Sequence, residues 1–340
     1  MTKLHSRLLI GGALATGLAF TLPAHAQQTE LIVSGFGGAY DEAMAASVKS
    51  FEEANNVKVT IVPAAGADNL ARVRNKEIDI MVSDPIFALR LEAEDSFVKL
   101  DPAIVTNLQY LYPQAVYSDY TVSANFGAYV IAYNPDKITT PPESWYDLAK
   151  PEYEGKVALR GFRPENIELI VLFAKLAGGD EKNPDAGFAE MAKIARNVHV
   201  WVTSHAEMLD LYRSGQVDLG TWTDARIAWA KNDEKVNVAG SVPKEGFFPL
   251  SSTISVVKGR PNAELALKLV NHLLSIESGI NMATRLGYFP TNSQVELPAD
   301  IQAKLVLNKD NIKELKTADW KYLVTVYDEW QSRWEKEVVK

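Results

Sequence analysis

The chain has 340 residues, of which 47% are hydrophobic and 23% charged, and it contains no cysteine. This composition is close to the globular average, which excludes wholesale disorder and fibrous repeats. The 35 basic and 43 acidic side chains give a formal net charge of −8, which argues against a protein that binds nucleic acid through its phosphates. The absence of cysteine excludes disulfides, thiol nucleophiles and thiolate metal sites.

The first 26 residues have the parts of a cleaved secretory signal. Lys3 and Arg7 form a cationic start, residues 8–22 are apolar and uncharged, and the sequence AHA at 24–26 fits a small-x-small cleavage site. The apolar run is short for a membrane anchor, and no cysteine follows it to carry a lipid. We therefore expect export to a bacterial periplasm, where a chain without disulfides depends on a large core.

The first hundred residues of the expected mature chain alternate between strand and helix patterns. The apolar and alternating runs predict strands at 31–33, 57–62 and 78–82, and the spacing of apolar residues predicts helices at 40–53, 69–76 and 86–94. This alternating order predicts a parallel, doubly wound α/β sheet.

A second α/β unit is predicted around and after the turn NPD at residues 134–136. Its strands are predicted at 127–133, 156–159, 217–222 and 252–257, and its helices at 167–176, 184–196, 206–214, 262–275 and 317–340. Two α/β lobes fit this length better than one very large sheet. Because ligands of such sheets bind at the carboxyl ends of strands, we expect a ligand cleft between the lobes.

Two segments of the first unit that follow predicted strands carry candidate ligand residues. The sequence GFGGAY, which contains Phe36 and Gly37, can offer free backbone N–H groups to a ligand. Tyr40 stands where a dinucleotide fingerprint has its last glycine, and the alternative is a simple tight turn. Asp84 can meet a ligand, or it can cap the helix that begins near Pro85.

The second unit carries charged candidates at two strand ends. Asp224 can cap a helix or meet a ligand cation. Arg160 and Arg163 can grip a carboxylate or phosphate, or they can pair with Glu165 at the surface.

The sequence offers no catalytic or metal-binding constellation. His199, His205 and His272 are not in metal-ligand spacing, and the GxSxG, HExxH and GK[ST] motifs are absent. We expect no enzymatic activity, no metal site and no cofactor. A periplasmic hydrolase and a sensor that partners a receptor remain the alternatives from other classes.

Several longer stretches resemble the substrate-binding proteins of ABC importers, specifically the polyamine group typified by spermidine/putrescine-binding proteins. The stretches are FGA at 126–128, YNPDK at 133–137, PESWYDL at 142–148, PEYEGKV at 151–157, PKEG at 243–246 and LGYFPTN at 286–292. They occur in the family's order and close to its spacing, and the resemblance covers essentially the whole mature chain.

This resemblance implies a two-lobe, type II periplasmic binding protein fold whose crossing strands let the lobes close on a ligand like a hinged clamp. It places residues 27–132 and 256–295 in lobe one, and residues 133–255 and 296–340 in lobe two. It also implies a monomer that performs no chemistry, binds no nucleic acid, and hands a small-molecule ligand to an ABC permease driven by a separate ATPase.

Carried over residue by residue, the resemblance implies a site with aromatic walls. The wall positions fall at Phe36 and Tyr40, near Trp222 and Thr223, and at Tyr288. Aromatic faces at these positions would hold an alkylammonium chain by packing and cation–π attraction.

The family's carboxylates are only partly kept. Of three such positions, one aligns with Ser252, one with Phe162, and the third is retained as Glu165. A buried ammonium without a carboxylate partner costs several kcal/mol, so a polyamine needs replacements, for which Asp84 and Asp224 are available.

Two hypotheses for the ligand therefore remain. The first is a small amine-bearing, polyamine-like solute held by Asp84, Asp224 or Glu165. The second is a zwitterion such as an amino acid, an opine or an aminophosphonate, because Arg160 and Arg163 lie beside carboxylates and suit an acid group.

Overall fold

The computed structural model describes residues 28–64 and 66–339. The predicted signal at 1–26 lies outside the described residues. In the part that is described, no helix has the length and apolarity needed to cross a membrane, and no cluster of histidine and acidic side chains could hold a metal ion.

The described residues contain eleven strands that form one mixed sheet. The strands are β1 (Thr29–Gly35), β2 (Val57–Pro63), β3 (Ile80–Ser83), β4 (Phe97–Val98), β5 (Val122–Tyr133), β6 (Val157–Arg160), β7 (Val198–Val202), β8 (Leu219–Thr223), β9 (Ala239–Ser241), β10 (Phe248–Val257) and β11 (Phe289–Pro290). The main order is β2-β1-β3-β10-β5-β8-β6-β7, with β4 paired to β10 and with β9 and β11 paired to β5.

The same residues form eleven α-helices that pack on the sheet. They are α1 (Ala39–Asn55), α2 (Ala67–Arg74), α3 (Pro85–Ala93), α4 (Pro164–Leu176), α5 (Asp185–Ala195), α6 (His205–Ser214), α7 (Asp224–Asn232), α8 (Ala263–Leu273), α9 (Ile276–Leu286), α10 (Ala299–Gln302) and α11 (Trp320–Arg333). Helix α1 has the buried face that the spacing of its apolar residues predicts, since Met44, Val48 and Phe51 are all buried.

Several elements differ from the sequence-based prediction, which includes neither the short strands β4, β9 and β11 nor the helices α7 and α10. Strand β7 was not predicted, and its residues are mostly half-buried rather than clearly alternating. The sequence-based prediction also ends α8 at Ser275 and has no helix between that residue and 317. In the structure the Ser275 side chain accepts a hydrogen bond from the Ser278 N–H, and this serine caps the following helix α9.

The predicted parallel pairing is confirmed on both sides of the sheet. Strand β1 pairs in parallel with β2 and β3, and β6 pairs in parallel with β7 and β8. The long central strands β5 and β10 run antiparallel to each other and to their outer neighbours β8 and β3. The result is two parallel halves joined through two shared strands.

The register of these shared strands places a gap between the two halves. Ser83 ends β3 opposite Thr253, which pairs with Ser123 of β5. Thr223 ends β8 opposite Tyr129, six residues further along β5, or about 20 Å at ~3.3 Å per residue. Because β3 runs parallel to β5 and β8 runs against it, the carboxyl ends of both halves face each other across this gap. We propose that the halves correspond to the two predicted lobes.

One apolar cluster includes residues from both halves. It contains Ile86 and Leu89 from α3 of the first half together with Trp320, Leu323 and Trp330 from the C-terminal helix α11. Helix α11 packs on α3, while Trp330 also contacts Phe188 of α5 in the second half. The C-terminal helix therefore spans the gap on the side of α3.

A buried ion pair fastens β3 to the connection that follows β10. The Asp79 side chain is 1% exposed, and its Oδ2 accepts the Ile32 N–H at 2.8 Å. Arg260 binds both carboxylate oxygens, with Nε–Oδ1 at 2.7 Å and Nη2–Oδ2 at 3.2 Å. Removing the arginine would leave a buried carboxylate with one backbone donor.

The variant Arg260→Ala is expected to lower the free energy of unfolding by about 3 kcal/mol, because it strands a buried charge. Thermal or urea unfolding would measure this. Lys258→Ala is the matched control, since Lys258 pairs with Asp95 where both side chains are largely exposed, and little change is expected there. Equal effects of the two substitutions would contradict the structural role of Arg260.

Candidate functional site

The middle of the two shared strands is polar although it is buried. Ser123 and Asn125 of β5 and Ser251, Ser252 and Thr253 of β10 are each at most 2% exposed. Oδ1 of Asn125 accepts no hydrogen bond. Buried polar atoms are normally paired, so this floor is better suited to a polar ligand than to further apolar packing.

Three aromatic residues predicted as a wall come together on the side of the first half. The Phe36 and Tyr40 rings meet edge to face at 4.9 Å, and the Tyr40 and Tyr288 rings lie 6.2 Å apart. Tyr288 lies on Gly127 of β5, where an added Cβ would be 3.2 Å from the tyrosine ring. Burial raises the pKa of Tyr40, and a hydrogen bond with Ser252 partly opposes this rise. The predicted wall positions Phe36, Tyr40 and Tyr288 thus form one surface.

The predicted backbone role of Gly37 is occupied from within the turn. Its N–H donates to Oδ1 of Asp41 at 2.9 Å, and its φ of +84° favours glycine. The alternative interpretation, a tight turn at the start of α1, describes Gly37 better than a ligand contact.

Opposite charges meet where β6 and β3 end. Arg160 is the last residue of β6 and Glu165 lies in the first turn of α4, with Nη1 and Oε1 3.6 Å apart. Glu165 is 1% exposed, yet neither of its carboxylate oxygens accepts a hydrogen bond, and Nε of Arg160 also has no partner. Asp84 occupies the N-cap position of α3, but its side chain accepts no capping hydrogen bond. Its carboxylate is therefore not used as the helix cap that the sequence allowed.

The charges of these groups act on one another. Burial raises the pKa of Asp84 to about 6, the Glu165 charge adds to this rise, and the charges of Arg160 and Arg163 oppose it. Burial lowers the pKa of Arg160, but the negative charge of Glu165 and the nearby Tyr129 hydroxyl outweigh it, so the pKa is raised overall. Arg163 is exposed.

Trp222 lies in the core of the second half instead of on the wall. It is 1% exposed and its ring stacks on Tyr212 at a centroid distance of 6.0 Å. Its Nε1 donates to Nδ1 of His205 at 2.9 Å. The neighbouring Thr223 is also fully buried, and its Oγ1 has no hydrogen-bond partner among the described residues. The ring of Trp222 is therefore separate from the aromatic surface of Phe36, Tyr40 and Tyr288.

Asp224 is engaged by backbone donors. Its Oδ1 accepts the N–H groups of Ala128 and Ala225 at 3.0 and 2.8 Å, and its Oδ2 accepts the Val306 N–H at 3.3 Å. Burial raises its pKa to about 6, and these hydrogen bonds oppose the rise. Asp224 therefore ties β5, α7 and the segment after α10 together, which is a positioning role.

Several residues near the site were not singled out from the sequence. Tyr129 lies within a predicted strand, and a buried tyrosine in a strand looks like an ordinary core residue. Tyr327 of α11 is half-buried, and its ring centre lies 5.1 Å from that of Phe162. Burial raises the pKa of Tyr327; the charge of Arg163 opposes this rise and the charge of Asp84 adds to it. Its distance along the chain from the other site residues hides it from motif reading.

Arg226 was also missed, although it follows Asp224 by two residues. With Tyr40, Tyr288 and Trp229 it lines a cavity of about 660 Å³ between the two halves. Its guanidinium lies 5.9 Å from the centre of the Trp229 ring. The cavity therefore joins the aromatic surface of the first half to a cationic side chain of the second.

Comparison with known proteins agrees with this architecture. The profile of the family described as "Bacterial extracellular solute-binding protein" matches residues 46–309. The structure is similar to that of an ABC transporter protein from Clostridium perfringens ATCC 13124, with a TM-score of 0.79 and 23% identity over 91% of this chain and 99% of the other.

Two curated relatives carry names that state a ligand. The chain is 25% identical to the spermidine/putrescine-binding periplasmic protein of Escherichia coli (strain K12), over 85% of this chain and 84% of the relative. It is 26% identical to the gamma-aminobutyric acid-binding protein of Pseudomonas aeruginosa, over 93% of each. The predicted resemblance and the two-lobe type II fold are confirmed, and the chain belongs to the family of bacterial extracellular solute-binding proteins.

Proposed function

We propose that the protein is the periplasmic solute-binding component of an ABC importer, and that its cleft binds a small solute with an amine and an acid group. The observation that carries the proposal is the charged cluster of Asp84, Glu165 and Arg160, in which buried acid oxygens and a buried guanidinium nitrogen have no hydrogen-bond partner. The protein would be exported by its signal at residues 1–26, act as a monomer, and deliver the solute to a permease and its ATPase.

The ammonium group would bind at the carboxylates. Both oxygens of Glu165 lack hydrogen-bond donors, and the Asp84 carboxylate is not used as a cap. Leaving buried charges unpaired is costly. An ammonium supplies three N–H donors, so it would satisfy these oxygens in the closed cleft.

The acid group would bind on the arginine side. Nε of Arg160 has no partner. Arg226 lines the cavity beside Tyr40 and Tyr288, and the charges of Arg160 and Arg226 both act on His205. A second ammonium at this position would be repelled by the guanidinium groups. The methylene chain between the two ends would lie on the Phe36, Tyr40 and Tyr288 surface, which supports an alkyl chain by apolar packing.

A polyamine is the second candidate, and the three acidic residues of this region favour it. Of these, Asp224 already accepts three backbone hydrogen bonds, which leaves Asp84 and Glu165. Arg160 pairs with Glu165 at 3.6 Å and competes for it. The balance of charge therefore supports a zwitterion over a polyamine.

The first prediction concerns the ligand class. Isothermal titration calorimetry of the mature protein should show 4-aminobutyrate or 2-aminoethylphosphonate binding at least tenfold more tightly than putrescine or spermidine. We expect this because only the zwitterions offer both a hydrogen-bond donor to Glu165 and an acceptor to Arg160. Tighter binding of spermidine would contradict the zwitterion assignment, and turnover of ester or phosphoester substrates without solute binding would contradict the binding role itself.

The second prediction separates ligand contact from structural support. Asp84→Asn is expected to weaken binding of the zwitterion roughly 10- to 100-fold, since a charge-assisted hydrogen bond is lost. The same change should leave the melting temperature of the ligand-free protein unchanged or higher at pH 8, because Glu165 no longer faces a like charge.

Asp224→Asn is the matched variant with the opposite signature. It should lower the melting temperature of the ligand-free protein, because an amide cannot accept the hydrogen bonds that both carboxylate oxygens accept. Calorimetry and thermal unfolding of both variants would test the pair. A stability loss in Asp84→Asn with unchanged affinity would contradict the proposed ligand contact.

The third prediction is a pH dependence. Since the pKa of Asp84 is about 6, the carboxylate becomes protonated below that pH and loses its attraction for an ammonium. Affinity for an amine-bearing solute should therefore fall between pH 7 and pH 5, in the field of Glu165, Arg160 and Arg163. Titrations at several pH values would show the decline, and Asp84→Asn should flatten it. An equally steep decline in that variant would assign the effect to another group.

A further inference from the structure

We propose that His205, held in a single tautomer by Trp222, donates a hydrogen bond to the acid group of the solute and completes a subsite with Arg160 and Arg226. This inference rests on the proposed function, because it concerns the acid end of the same ligand. It gives Trp222 a positioning role in place of the wall role expected from the sequence.

The topology brings the three side chains to one edge of the sheet. Strands β8, β6 and β7 are neighbours and run in parallel, so their carboxyl ends lie side by side. Arg160 is the last residue of β6, His205 is the first residue of the helix after β7, and Arg226 is the third residue of the helix after β8. This edge faces the cleft.

The hydrogen bond from Trp222 determines which nitrogen of His205 carries the proton. The indole Nε1–H can only donate, and it lies 2.9 Å from Nδ1 of His205. The planes of the two rings are inclined by 21°, and their centroids lie 6.4 Å apart. Nδ1 is therefore an acceptor, and the imidazole proton is on Nε2. No protein acceptor for that Nε2–H is present in the part of the chain that the structure describes.

The surroundings keep the imidazole neutral. Burial lowers the pKa of His205 to about 3, and the positive charges of Arg160 and Arg226 add to the decrease. A neutral ring contributes an N–H donor without repelling the two guanidinium groups. His205 is half-buried, so part of the residue remains accessible to solvent.

The donor set suits an oxyanion. Two guanidinium groups and one fixed N–H can satisfy the several lone pairs of a carboxylate or of a phosphonate. Arg160 stands between the two ends of the site, because it also contacts Glu165 at 3.6 Å. The geometry thus assigns the amine to the Asp84 side and the acid to the His205 side.

Calorimetry with three probes tests the subsite: 4-aminobutyrate, 2-aminoethylphosphonate, and butylamine, which has no acid group. His205→Ala should weaken both zwitterions roughly 10- to 100-fold and should change butylamine binding by less than about threefold. His205→Gln, which keeps a neutral N–H donor, should recover part of the loss.

Trp222→Phe tests the positioning role, because it removes the indole N–H and keeps an aromatic ring in the core. It should weaken zwitterion binding about 3- to 10-fold. In a ¹H–¹⁵N correlation spectrum the His205 signals should change from the pattern of one fixed Nε2–H tautomer to that of a mixture. Tyr212→Phe is the matched control, since it perturbs the same stack by removing a bond to the Ala132 carbonyl oxygen, and it should leave the tautomer fixed.

The outcomes separate this inference from the proposed function. If the wild-type protein binds neither zwitterion, the zwitterion assignment fails and this subsite fails with it. If the wild-type protein binds them and His205→Ala binds them equally well, only the His205 subsite is overturned. Equal losses for butylamine and the zwitterions would show a structural effect and would also overturn it.

Discussion

The cost of burying charge without a partner governs the design of this cleft. Glu165 is almost fully buried with both carboxylate oxygens free of hydrogen bonds, and Arg160 at 3.6 Å is its nearest counter-ion. A buried carboxylate without hydrogen-bond donors is unfavourable in a protein interior. We propose that it becomes favourable when a ligand supplies the missing donors and acceptors, so that stability is given up where binding is gained. Asp84 fits the same account, because burial and Glu165 raise its pKa in the ligand-free protein.

The fold brings these groups together through the two shared strands. Strands β5 and β10 pass through both halves, and the carboxyl ends of the outer parallel strands converge over their middle. Side chains that lie far apart in the sequence, from Asp84 to Tyr288, therefore meet around one polar floor. The C-terminal helix α11 packs on α3 beside the same gap, so it joins the two halves at a contact outside the polar floor.

Much of the fold could be predicted from the sequence. The helix of Met44, Val48 and Phe51 follows from its spacing, and the parallel pairing follows from the alternation of strands and helices. The half-buried strand β7 lacks a clear period, and α9 follows α8 so closely that only the Ser275 cap separates them. Local patterns also could not show that β5 and β10 are shared by two lobes, because strand pairing between distant segments depends on the whole chain.

The candidate site was only partly predictable, and for a related reason. Phe36, Tyr40 and Tyr288 lie together as expected, and so do Asp84, Arg160 and Glu165. Whether Asp224 or Trp222 faces a ligand depends on which atoms already have partners in three dimensions. In the structure Asp224 accepts three backbone hydrogen bonds, and Trp222 donates a hydrogen bond to His205. No sequence motif predicts these contacts.

The most direct test of the account is native mass spectrometry of the mature protein purified gently from a periplasm, followed by release and identification of any bound molecule. We expect a small adduct that carries both an amine and an acid group. A diamine or polyamine adduct would contradict it, because such a ligand would set an ammonium against Arg160 in a buried site.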